Sequence, residues 1–99
     1  MLRLGERDGE HCAWCSTSLS YRSIHATLDH IRCRSHGGAD ALDNLVLSCA
    51  SCNHRRANAP ASAFLDSCLD AGQPVDVEAV LRAIARSHAH HGNALRSAA

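Results

Sequence analysis

A small α+β domain, built round one antiparallel hairpin and closed by a metal staple, is what this sequence predicts, and three observations predict it. Four of its six cysteines fall into two C-x-x-C pairs, Cys12/Cys15 and Cys49/Cys52. Two short runs of apolar or β-branched residues, within SIHATLDHI (23–31) and at LVLSC (45–49), lie between those pairs. Apolar stripes at helical spacing follow the second pair. With 99 residues, 3% aromatic content and single copies of Trp14, Tyr21 and Phe64, the core must rest on Leu, Ile, Val and Ala, and so short a chain calls for a staple.

Residues 1–10 show no hydrophobic period and are expected to form a flexible N-terminus. They also lack the apolar run of a signal peptide, and no stretch approaches the roughly 18 apolar residues of a membrane span. The chain therefore reads as a cytoplasmic protein with no membrane partner. HCAWC is a tight turn, SIHATLDHI suits a strand, and RCRSHGGADALDN cannot be regular because of the Gly37-Gly38 pair and its Asp and Asn residues. A loop of that length in a small domain is more often functional than idle. LVLSC is a second strand, antiparallel to the first, and a helix beginning near Ser51 ends near Asn58, before Pro60. A second helix presents Ala61, Phe64, Leu65, Cys68 and Leu69 on one face and stops at Gly72. A third has Asp76 as N-cap and Val77, Val80, Leu81, Ile84 and His88 on one stripe, with Gly92 beyond its end. The resulting division is 1–10, a core at 11–58 and a helical extension at 59–99.

Net charge is zero, so overall charge gives no support for a nucleic-acid partner, and the distribution has to be examined. Residues 11–58 carry five arginines (Arg22, Arg32, Arg34, Arg55, Arg56) against three aspartates (Asp29, Asp40, Asp43), while both flanks are slightly acidic. The chain has no lysine, so every fixed cation is a guanidinium able to hold phosphate oxygens in pairs. A coding bias that also yields 17 alanines explains the missing lysines equally well.

In a reducing compartment, paired C-x-x-C turns read as metal ligands before they read as disulfides. Four thiolates satisfy tetrahedral Zn²⁺ and leave no open position, so such a site is structural. A thioredoxin-like redox pair and two local disulfides are the competing readings. The 33 residues between the pairs are too many for a simple ribbon, so something must fold inside the zinc-closed loop. Cys33 and Cys68 are left over, and Cys68 lies on an apolar helical face as a small buried hydrophobe would.

LDHI, an SHGG turn, then LDNLVLSCASCN with Arg55 and Arg56 after it resembles the HNH endonuclease family, in the subgroup whose motif is framed by two zinc-binding C-x-x-C pairs. The resemblance covers about residues 12–58. It implies a ββα-metal (His-Me finger) fold with a structural zinc and a metal-dependent DNA endonuclease activity. It implies His30 as the general base that activates water and Asn44 as the residue that orients it through nearby backbone. Asp29 and Asn53 are implied as ligands of a catalytic Mg²⁺ or Mn²⁺ ion. Their hard oxygens suit such an ion, and a neutral imidazole suits a base near pH 7. Arg32, Arg34, Arg55 and Arg56 are candidates for phosphate contacts. Neighbours on a regular strand point to opposite faces, so Asp29 and His30 share a cleft only if the strand twists or ends there. Two departures from the family pattern stand out: Cys33 replaces a proline and Ser16 replaces a glycine.

His25 could approach the metal from the strand face of Asp29, and His54 is a fallback for the last motif position. The HAHH cluster at 88–91 reads as a helix end. A zinc-stapled nucleic-acid-binding module without catalysis is the alternative function, and a protein-interaction zinc module using the last two helices is a third. The C-terminal helices are expected to pack on the core, to pair two copies, or to dock on a larger partner. Small members of this family occur in bacteria and phages.

Overall fold

The computed structural model describes the backbone of residues 2–20 and 25–98, and the side chains of 3–20 and 25–92. Two strands, β1 (Ala26–His30) and β2 (Leu45–Cys49), pair antiparallel with Ala26 opposite Cys49 and His30 opposite Leu45. Helix α2 (Ala50–Arg56) follows β2 directly and completes a ββα unit. The family resemblance leads one to expect this arrangement, with the four cysteines gathered at the Ala26–Cys49 end. The first two residues of the longer predicted strand, Ser23 and Ile24, lie outside the described residues.

The N-terminus departs from expectation. Residues Leu2–Asp8 form helix α1, and Leu4 is fully buried. Arg7 anchors the helix to the hairpin by donating to the carbonyls of Leu42 and Leu45, both at 2.8 Å. One buried leucine and a side chain reaching 35 residues down the sequence leave no periodic signal, so the segment reads as flexible from sequence alone.

Helices α3 (Ala61–Asp70) and α4 (Val77–Ala98) belong to the same core as the hairpin. Phe64, Leu65, Cys68, Val80 and Ala83 pack with Trp14, Leu19, Ile31 and Val46 in one buried cluster. Trp14 is its centre, fully buried and edge-on to Phe64 with ring centroids 5.0 Å apart. The apolar stripes proposed as a dimer or partner interface are therefore consumed within the chain, and among the described residues Leu69 and Leu81 are the large apolar side chains of these two helices left exposed. Asp76 caps α4 by accepting from the Ala79 amide at 3.1 Å. The helix does not stop before Gly92 but runs through it to Ala98. A single glycine costs a helix about 1 kcal/mol, too little to end one already docked on a core. Among the described residues, no helix is long and apolar enough to cross a membrane.

Candidate active site

The two C-x-x-C turns come together although 33 residues separate them. The first is a short hairpin in which the Cys12 amide donates to Thr17 O and the Ser16 amide to Cys12 O. The second is the junction of β2 and α2, where Cys49 caps the helix and its Sγ accepts from the Cys52 amide at 3.4 Å. All four Sγ atoms lie within 4.8 Å of one another, and Cys15 and Cys49 are 3.9 Å apart. Tetrahedral zinc–thiolate bonds of about 2.3 Å demand sulfur–sulfur separations near 3.8 Å, so the cluster fits Zn²⁺.

The electrostatics agree with the geometry. Burial pushes the Cys12 and Cys52 thiols up, and Cys49 and Cys12 push Cys52 further. Burial would raise Cys15 too, but hydrogen bonds from Thr17 bring it down to about 7. A divalent cation held by the four sulfurs would stabilise the thiolate forms that burial disfavours at Cys12 and Cys52. Donors are already aimed at them: the Trp14 amide at Cys12 and Arg55 Nη2 at Cys52, the latter at 3.0 Å. Arg55 also donates to Gln73 Oε1. It is thereby engaged beside the zinc cluster as well as exposed to solvent, a position the sequence did not reveal.

Asp29 and His30 point to opposite faces of β1, as strand alternation requires. Asp29 turns inward and is 5% exposed. Its Oδ1 accepts from Arg56 Nη1 and its Oδ2 from Trp14 Nε1, each at 2.7 Å. Burial raises the Asp29 carboxyl above its usual value, and Arg56 and Trp14 offset only part of that. Each carboxylate oxygen of Asp29 accepts one internal hydrogen bond and keeps a further lone pair. One assignment needs correction here, that of Arg56 to a DNA backbone. Arg56 is 1% exposed and cannot reach a DNA backbone. Besides Asp29 it donates to the carbonyls of His30, Ile31 and Ala59, pinning the end of β1 to α2 from inside. Asn53 lies beside the strand, its amide nitrogen donating to Thr27 Oγ1 at 2.9 Å.

His30 faces outward, its side chain 18% exposed. Its Nε2 meets Asp40 Oδ1 at 2.7 Å, and Arg34 Nε donates to the same oxygen at 2.8 Å. Hydrogen bonds from Arg34 and His30 hold the Asp40 carboxyl below its usual value. Asn44 is wholly buried at the far side of this loop. Its Oδ1 accepts from the Arg32 amide at 2.9 Å, and its Nδ2 donates to Arg32 O at 3.0 Å and Ala39 O at 2.8 Å. Asn44 thus clamps the backbone two residues beyond His30. Gly38 is required where the loop folds over Arg32, since a Cβ there would sit 1.7 Å from Arg32 O. Cys33 has φ −59° and ψ 146°, a conformation that proline also adopts, so its replacement of proline leaves the turn unchanged. Ser16, in place of glycine, takes a left-handed φ of 64°.

The remaining candidates disperse. Arg32 and Arg34 are exposed, Arg34 on the Asp40 oxygen that meets His30 and Arg32 with its Nε on His36 O at 2.9 Å. His25, His36 and His54 are all exposed. Among the described residues, the four cysteines are the one group of three or more His, Cys, Asp or Glu side chains close enough to share an ion. His91 is no idle helix end. Its Nε2 accepts from the Ala39 amide at 3.1 Å, and its Nδ1 lies 2.7 Å from Ser87 O. Ser87 donates to Asn44 Oδ1 at 2.6 Å. Sequence reasoning missed Asp40, Ser87 and His91 as parts of the site. Only the position of Asp40 in the Gly-Gly loop offered a signal.

Residues 12–59 match the family model of the HNH endonucleases. No curated protein matches the chain with significant similarity.

Proposed function

Since residues 12–59 form a domain of the HNH endonuclease family, we propose that the protein hydrolyses phosphodiester bonds in DNA with His30 as general base. The observation that carries this reading is the outward imidazole of His30 at the end of β1, hydrogen-bonded to a carboxylate and backed by the Asn44 clamp. A module that only binds DNA needs neither.

His30 takes a proton from water, and the electron pair of that O–H bond becomes the new oxygen–phosphorus bond. The phosphorus–oxygen bond to the leaving strand end breaks with its own pair, and that oxygen takes a proton from solvent. Arg32, at the cleft edge, and Arg34, whose Nη atoms lie beyond its bond to Asp40, supply positive charge for the phosphate backbone. Arg55 is proposed only as a peripheral phosphate contact, because one of its donors is held by Cys52. The family resemblance implies a divalent ion for this chemistry, which Asp29 and Asn53 would hold, and the assay below identifies it.

The test is nicking of supercoiled plasmid by zinc-loaded protein in Mg²⁺, Mn²⁺ or EDTA, beside His30→Ala. Metal-dependent cutting should fall roughly 10²- to 10⁴-fold in the variant while its melting temperature is kept. Folded wild type that cuts neither plasmid nor single strands in any metal leaves the zinc-stapled binding module as the function.

A further inference from the structure

Asp40 is oddly placed for a protein that handles DNA. It is an exposed acid, with 63% of its side chain accessible, beside the cleft where phosphates would lie. A surface ion pair there adds little to stability. Its charge opposes that of the substrate. Yet the loop fixes it from several sides. The Ala39 carbonyl is held by Asn44 and the Ala39 amide by His91, while the Asn44 amide donates to Ala41 O at 2.8 Å. Arg34 shares the Asp40 oxygen that meets His30.

The bond to His30 has a chemical consequence. An ionised carboxylate can only accept, so Nε2 must carry the proton of the neutral ring and the lone pair lies on Nδ1. Among the described residues Nδ1 makes no hydrogen bond. We propose that Asp40 is a positioning residue for the reaction: it fixes the Nε2–H form of His30 and its ring orientation, so that Nδ1 takes the proton from water. The proposal rests on the reading of His30 as base. Once the ring is charged, Asp40 also stabilises the imidazolium, as a third group orienting a base does elsewhere. The C-terminal helix joins the site by this route, through His91 and Ser87, although it lies outside the segment that matches the family.

Asp40→Ala and Asp40→Asn in the full zinc-loaded chain test this. In plasmid cleavage, Asp40→Ala should lose roughly 10- to 100-fold in kcat, a part of the whole general-base effect. Its KM for DNA should stay level or fall, because a repelling charge is gone. Asp40→Asn should recover much of the rate, since an amide oxygen still accepts from Nε2. Ring ¹⁵N shifts of His30 should show the Nε2–H form in wild type and a mixture of forms in Asp40→Ala. An active wild type with Asp40→Ala equally fast or faster, or with its ring in the Nδ1–H form, overturns the proposal alone. A folded wild type that cuts nothing overturns the nuclease reading and the proposal with it.

Discussion

At its Ala26–Cys49 end the hairpin meets four clustered thiols, with Trp14 and Gln73 beside them. At its His30–Leu45 end it meets a solvent-facing loop, held in part by a serine 43 residues further along. The first end is suited to fixation by metal bonds, the second by hydrogen bonds that each contribute only about 1 kcal/mol. The difference separates two tasks within one hairpin. Zinc-site disruption should remove fold and activity together, whereas changes at the cleft should alter rate with little effect on the fold.

The largest effect should come from the zinc end. Structural zinc in small domains binds with about 10–16 kcal/mol, so chelation or Cys52→Ser should abolish cooperative thermal unfolding followed by circular dichroism. An apo protein that melts cooperatively at the holo temperature would contradict this. Next is the internal bridge between the two ends. Arg56→Ala leaves Asp29 buried without its partner and should cost about 3–5 kcal/mol in urea unfolding. If Arg56 instead served DNA, the salt dependence of binding would weaken and stability would not change.

At the cleft end, Ser87→Ala removes one buried donor to Asn44 and should cost about 1–2 kcal/mol while lowering the cleavage rate. Equal rates in variant and wild type would detach α4 from the site. The smallest effect sharpens the comparison. Ala57, closing α2 near the cleft loop, has φ 50° and ψ −122°, where a glycine is less strained. Ala57→Gly should gain about 1 kcal/mol in thermal unfolding. Ser16, left-handed at the zinc end, repays its strain with a 2.5 Å hydrogen bond to Pro74 O, so Ser16→Gly should gain little. A stabilised Ser16→Gly would show that bond to be weak.

What the sequence disclosed follows from spacing. C-x-x-C pairs announce a shared ion because their geometry is local, and β1, β2 and the three later helices follow from period and turn residues. Period-two alternation also announced the conflict between Asp29 and His30, and the strand resolves it by burying Asp29 rather than by twisting both side chains into one cleft. Arg56 could not be placed in advance. On a short helix of mixed polarity nothing distinguishes the arginine that points inward from Arg55, which meets Cys52. Ser87 and His91 were illegible for another reason: their partners Asn44 and Ala39 are 43 and 52 residues away, and a polar residue on a helix looks the same whether it faces water or a loop.

The link between α3 and α4 is fastened to the first zinc turn. Gln73 Nε2 donates to Trp14 O at 2.6 Å, and Ser16 Oγ reaches Pro74 O. The segment that matches the family is thus not the segment that can be transplanted. A fragment ending at residue 59 would open Trp14, Ile31 and Val46 to water, while one carried through His91 would retain both the lid over that core and the helix that grips the loop between His30 and Asn44. For anyone grafting this nuclease-type domain onto a targeting protein, the point of fusion belongs beyond α4.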